Sequence, residues 1–196
     1  MPIIAQKMDI ILNEKNLTRY ELGKFLKTNL QNFYHMINGE RAFTEKVIKK
    51  LLPILEVSKE EFESWVLADK YPKEIIERAI QIKKCHSELV SESIQTRKTL
   101  KQVQGDNKKK SKKKCILTFN IDKILEEKEI SRTALAKQIG HSQTGLNSVI
   151  RGQVGISKSL LEKLSQALEV PQDEILSWSI ADKYKLDLLE QVLDLI

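Results

Sequence analysis

A constant offset of 113 residues lays one half of this chain over the other. "WVLADKY" at residues 65–71 returns as "WSIADKY" at residues 178–184. Extending upstream, residues 8–71 lie over residues 121–184 without a gap, and about 22 of the 64 aligned positions are identical. Most other apolar positions keep their class, as in Leu17/Ile130, Phe33/Leu146, Ile48/Leu161 and Phe62/Ile175. A repeat that holds register this far is a duplicated domain. It divides the 196 residues into two units of about 80 residues, small enough that each buries only a modest core.

Apolar spacing is helical throughout, with none of the alternation a strand requires. In the second copy Ile121, Ile124 and Leu125 give a first helix. Ser131 stands at an N-cap before a short second helix whose buried face is Leu135, Ala136 and Ile139. Gly140 follows where a left-handed residue ends a helix. Ser142 caps the third helix, with Leu146, Val149 and Ile150 inward, and Gly152 stops it. Ser157 caps a fourth helix carrying Leu160, Leu161, Leu164 and Leu168, and Pro171 falls in the first turn of a fifth.

Two short helices joined by about four residues, with a small residue midway along the first, form a helix-turn-helix arrangement. Ala136 is that small residue, and Gly23 matches it in the first copy. On this evidence "ISRTALAKQIGHSQTGLNSVIRG…LLEKLSQALEVPQDEIL" resembles the lambda-repressor/Cro-type, or XRE, family. The resemblance spans each copy from its first to its fifth helix. It implies an all-α fold of two lambda-repressor-like helix-turn-helix domains in tandem, each of five to six helices, with the third helix docked in the major groove. That geometry places Ser142, Gln143, Thr144 and Asn147 against base edges, and the Gln143 amide suits bidentate pairing with adenine. Arg132 begins the second helix, where phosphate contacts gather. Arg151, Gln153 and Lys158 surround the loop after the third helix as backbone clamps.

The first copy departs from this pattern. Lys27 stands in the place of Gly140 and Leu30 in that of Gln143. Asn29, Gln31, Asn32 and His35 remain as base readers, with Arg19 and Arg41 near phosphate. Either this copy reads a second half-site, or it has drifted toward packing Leu30, Phe33 and Tyr34 against a partner.

The net charge of +6 is uneven. Residues 1–84 carry 15 basic and 12 acidic side chains, residues 85–114 carry 9 and 3, and residues 115–196 carry 9 and 12. Global charge therefore says little about nucleic acid, whereas residues 130–161 contain four basic side chains and no Asp or Glu. The domains expected are 1–84, a basic flexible linker at 85–114, and 115–196. The linker's "CHSELVSESIQTRKTLKQVQGD" resembles the translated product of a bacterial repetitive palindromic element. Its "KKKSKKK" at residues 108–114 would attract any polyanion.

Cys85 and Cys115 flank the linker and fit free thiols in a reducing compartment. No metal site is expected at His35, His141 or Cys85–His86, since none has a ligand partner at usable spacing. Neither a phosphate loop nor an activated nucleophile is apparent, so no enzyme and no cofactor is expected. The absence of a signal peptide or a membrane-length apolar run points to the cytoplasm. Phe62, Trp65, Val66, Ile175, Trp178 and Ile180, with the amphipathic segments after each "ADKY", suggest a dimer or inter-repeat interface. The function expected is a DNA-binding transcriptional regulator on double-stranded DNA, acting as a homodimer or an intrachain pseudo-dimer. The alternative is an antitoxin-like or anti-repressor subunit whose main partner is a protein.

Overall fold

The computed structural model describes residues 1–100 and 115–196, with side chains through residue 87 and from residue 115 onward. The lysine run at residues 108–114 lies outside the described residues. What is described is all helical, with no strand. The first copy supplies α1 (Ile3–Glu14), α2 (Arg19–Leu26), α3 (Leu30–Ile37), α4 (Glu45–Leu55), α5 (Lys59–Lys70) and α6 (Lys73–Leu100). The second supplies α7 (Ile116–Glu127), α8 (Arg132–Gln138), α9 (Gln143–Ile150), α10 (Lys158–Leu168), α11 (Gln172–Lys183) and α12 (Leu186–Leu193). Each helix of the second copy begins 113 residues after its counterpart.

The left-handed backbone positions repeat at the same offset. Asn16 and Glu129, Lys27 and Gly140, Gly39 and Gly152, and Glu56 and Glu169 all have φ between 51° and 76°. Gly140, at φ 64°, ends α8 as the spacing predicts. Lys27 adopts the same conformation at φ 51°, against a steric cost of about 1–2 kcal/mol for a residue with a Cβ.

Side-chain oxygens start most helices. The Ser131, Ser142 and Ser157 hydroxyls accept from the N–H groups of Ala134, Gly145 and Leu160 at 3.1, 3.1 and 3.3 Å. Thr18 and Glu21 form a reciprocal box, the Glu21 carboxylate accepting the Thr18 N–H at 2.8 Å and the Thr18 hydroxyl the Glu21 N–H at 3.2 Å. Two differences from the spacing appear in the second copy. α7 starts at Ile116, five residues before Ile121, because Ile116 and Leu117 are already buried. Pro171 is the N-cap of α11 rather than part of its first turn.

The repeated "ADKY" ends have a local task. Asp182, at the end of α11, accepts the N–H groups of Ile116 and Leu117 at 2.7 and 2.8 Å. Asp69 does the same for Ile3 and Ile4 at 2.5 and 2.9 Å. A carboxylate thus satisfies the open donors of the first helix and meets the positive end of its dipole. One residue per copy ties the module's last shared helix to its first.

Two compact units result. One is Met1–Lys73 with Asp187–Ile196, and the other is Glu74–Leu186. Each therefore holds five helices of one copy and most of the sixth from the other. In the first unit, Met8, Leu12, Leu22, Phe33, Ile37, Leu51 and Phe62 are fully buried, each adding about 1.5–3 kcal/mol of apolar burial, and Leu195 packs against this core. In the second unit, Ile121, Leu146, Leu164 and Ile175 are buried, and the Ser177 hydroxyl donates to the carbonyl of Ile75 on α6 at 3.4 Å. These units differ from the segments 1–84, 85–114 and 115–196 expected from the sequence. α6 runs unbroken past residue 84, and its apolar stripe of Ile75, Ile76, Ala79 and Ile80 is buried.

Candidate nucleic-acid interface

α8 and α9 pack against each other across a short turn. The turn closes with the N–H of Gly140 donating to the Lys137 carbonyl at 3.1 Å and that of His141 to Ala136 at 2.9 Å, the double bond of a Schellman ending. α9 then begins with Gln143 and Thr144 exposed, while Leu146, Val149 and Ile150 are buried beneath. A Cβ on Gly145 would lie 2.6 Å from the exposed His141 Cε1 and 2.8 Å from Ser142 Oγ, and Asn32 holds the matching place in the first copy.

Asn147, one turn along α9, is half-buried and its side-chain oxygen accepts from Arg132 Nη1 at 3.3 Å. Arg132 is itself held by Asp122 of α7, through Nε at 2.8 Å and Nη2 at 2.6 Å. The guanidinium is thus bonded to both a carboxylate and an amide. It orients Asn147. Arg151, Gln153 and Lys158 are exposed after α9 and at the start of α10, and neither cation has a carboxylate partner among the described residues. α9 is also anchored from α7: the Thr118 hydroxyl and the Cys115 thiol donate to the Ile150 carbonyl at 2.8 and 3.2 Å.

In the first copy the matching face is occupied by its own residues. Arg19 makes a two-pronged pair with Asp9 at 2.6 and 2.5 Å, and that bond raises its pKa above the ordinary arginine value. Asn29 serves as the N-cap of α3, accepting the Asn32 N–H at 3.3 Å. The Asn32 side-chain oxygen accepts from Arg41 Nη1 at 2.6 Å, and His35 Nδ1 lies in a short contact with Glu40. Leu30 is half-buried over Gly23. Gln31 stays exposed. Around it the surface is aromatic: Phe25 is 63% exposed, Tyr20 49% and Tyr34 39%.

The residues expected at a dimer or inter-repeat interface are mostly buried within the two units. Phe62 and Trp65 belong to the first unit's core, Ile175, Trp178 and Ile180 are buried, and only Val66 is half-buried. Sequence reasoning missed Asp9, Asp122, Asp69 and Asp182, although each is identical between copies and each arginine partner is too. Charged residues retained at both places of a repeat were the available signal.

Residues 120–180 match the family model of the Cro/C1-type HTH DNA-binding domain. The match runs from α7 to α11 and so contains the whole α8–α9 turn. No curated protein and no solved structure matches the chain. Among the described residues, no helix is long and apolar enough to cross a membrane, and no group of three His, Cys, Asp or Glu side chains could hold a metal. The matching segment thus presents the capped, exposed start of α9 as its polar face, flanked by cations with no carboxylate partner among the described residues.

Proposed function

We propose that the chain is a cytoplasmic transcriptional regulator that binds double-stranded DNA in a sequence-specific manner through two helix-turn-helix modules in tandem. α9 enters the major groove, with Gln143 and Thr144 on base edges, Asn147 oriented by Arg132, and Arg151, Gln153 and Lys158 on phosphate. The observation that carries this reading is the exposed, Ser142-capped N-terminus of α9 within the segment that matches the Cro/C1-type domain.

The two modules divide the work unequally. In the second, the reading side chains are free or pre-oriented. In the first, Asn29, Asn32 and His35 are engaged locally, and Leu30 carries no amide, so this module adds affinity more than sequence information. Its exposed Tyr20, Phe25 and Tyr34 favour a second role for that face, as a surface for a protein partner, which is where the interaction-subunit reading retains support.

Selection from a randomised duplex pool, wild type beside Gln143→Ala, tests the proposal. The expected result is an enriched motif that loses preference at one base pair in the variant, by about 1–3 kcal/mol. A pool with no enriched motif, a steep salt slope and no effect of Gln143→Ala would refute sequence reading by α9.

A further inference from the structure

Within the second unit, α6, α7 and α11 line an open cleft of about 470 Å³. That size suits a small organic molecule. Its floor is apolar, from Ile82, Ile116, Phe119 and Trp178. Arg78 on α6 and Glu174 on α11 line the same cleft. They do not pair with each other, and neither has an ion-pair or hydrogen-bond partner among the described residues. Phe119 remains 41% exposed although it borders a largely buried tryptophan. At the offset of 113 the places of Arg78 and Phe119 are held by Gln191 and Gln6, so this combination is particular to the second unit.

Two unpaired opposite charges above an apolar floor select for a molecule that carries both complements. We propose that this cleft binds a small zwitterion with an apolar body, its anionic group on Arg78, its cationic group toward Glu174, and its body against Phe119 and Trp178. A guanidinium recognises carboxylate with directional, charge-assisted hydrogen bonds. α7 forms one wall and, through Thr118 and Asp122, holds α9 and Arg132. The ligand would therefore lie on the helix that positions the reading face.

Calorimetric titration of the full chain tests this with two probes, L-phenylalanine and 4-(aminomethyl)benzoate, which space their charges differently. One of them is expected to bind at one site and to raise Tm. Removing either charge from that probe (phenylalaninamide and 3-phenylpropanoate, or the methyl ester and 4-methylbenzoate) should weaken binding roughly tenfold or more. Arg78→Gln should abolish the preference for the carboxylate, and Glu174→Gln that for the ammonium. Both side chains reach the surface, and circular dichroism checks that the variants fold. The proposal fails if neither probe gives heat or a Tm shift at about 10 mM, if charge-deleted analogues bind equally, or if both variants bind as wild type does. None of these outcomes bears on DNA selection, so the two readings fail separately.

Discussion

α3 and α9 have the same length, the same start and the same buried triplet pattern, yet opposite surfaces. α9 shows water two polar side chains with nothing of its own to bind, and its third candidate, Asn147, is aimed by Arg132. α3 shows a leucine, an N-cap, and two polar groups already engaged by Arg41 and Glu40 from the loop that follows. The scaffold beneath is common to both: the arginine–aspartate pair from the second helix to the first, the aspartate clasp, and four left-handed corners. A duplicated fold keeps its scaffold because many contacts share each residue. Its exposed face can change one side chain at a time without disturbing the core.

The largest expected effect lies in the shared scaffold. Asp182→Ala leaves two buried-end N–H groups without their charged acceptor and should cost about 2 kcal/mol. Asp69→Ala should cost less, because Asp69 is the more exposed. Chemical denaturation of both variants checks this: an absent effect would break the claim that the clasp matters in both copies, and equal effects the claim that exposure sets its strength. Next, the double change Leu30→Gln with Arg41→Ala supplies the missing amide and frees Asn32. It should lengthen the motif selected from random duplexes, with about 1–3 kcal/mol of discrimination at the added base pair. An unchanged motif would mean that the first module's orientation, not its side chains, keeps it from reading.

The helix crossing gives a smaller and sharper test. A Cβ on Gly23 would come within 2.5 Å of Leu30 Cδ2, whereas the second copy has Ala136 opposite Gln143. Gly23→Ala should therefore be nearer neutral alone, and about 1 kcal/mol more favourable once Leu30→Gln has removed the obstruction and helix propensity is left to act. A double-mutant cycle with no coupling would overturn this account of the pair. Below that, Lys27→Gly relaxes a left-handed residue and should stabilise by about 0.5–1 kcal/mol, the relief of Cβ strain less the added freedom of the unfolded chain.

The smallest effect is pH-dependent and confined to the first copy, since Ala134 stands where Glu21 does. The Thr18 N–H and hydroxyl hold the Glu21 carboxyl below its ordinary value of 4.5. A lowered folded pKa contributes stability that is present above the unfolded value and is lost as pH falls through the folded one. The stability difference between wild type and Glu21→Ala should accordingly be constant above about pH 5 and shrink on acidification below 4.5. A difference that grows toward low pH would contradict the box.

Some of this was legible in the amino-acid sequence because it is local. A capping serine before an apolar stripe, a glycine after one and a small residue at a helix crossing act through neighbours a few residues away. The 113-residue offset likewise relates the start of each helix in one copy to that of its counterpart. What local pattern could not determine is which long-range partner a side chain finds. Arg19 and Arg132 look like phosphate ligands in sequence and become ion-paired struts only because α1 and α7 bring Asp9 and Asp122 alongside. The same holds for the sixth helices. An apolar stripe states that α6 and α12 must be buried, but not against which core. The residues from Glu74 join the second unit and those from Asp187 the first, an exchange that only tertiary packing decides, because apolar burial is non-directional and does not name its partner.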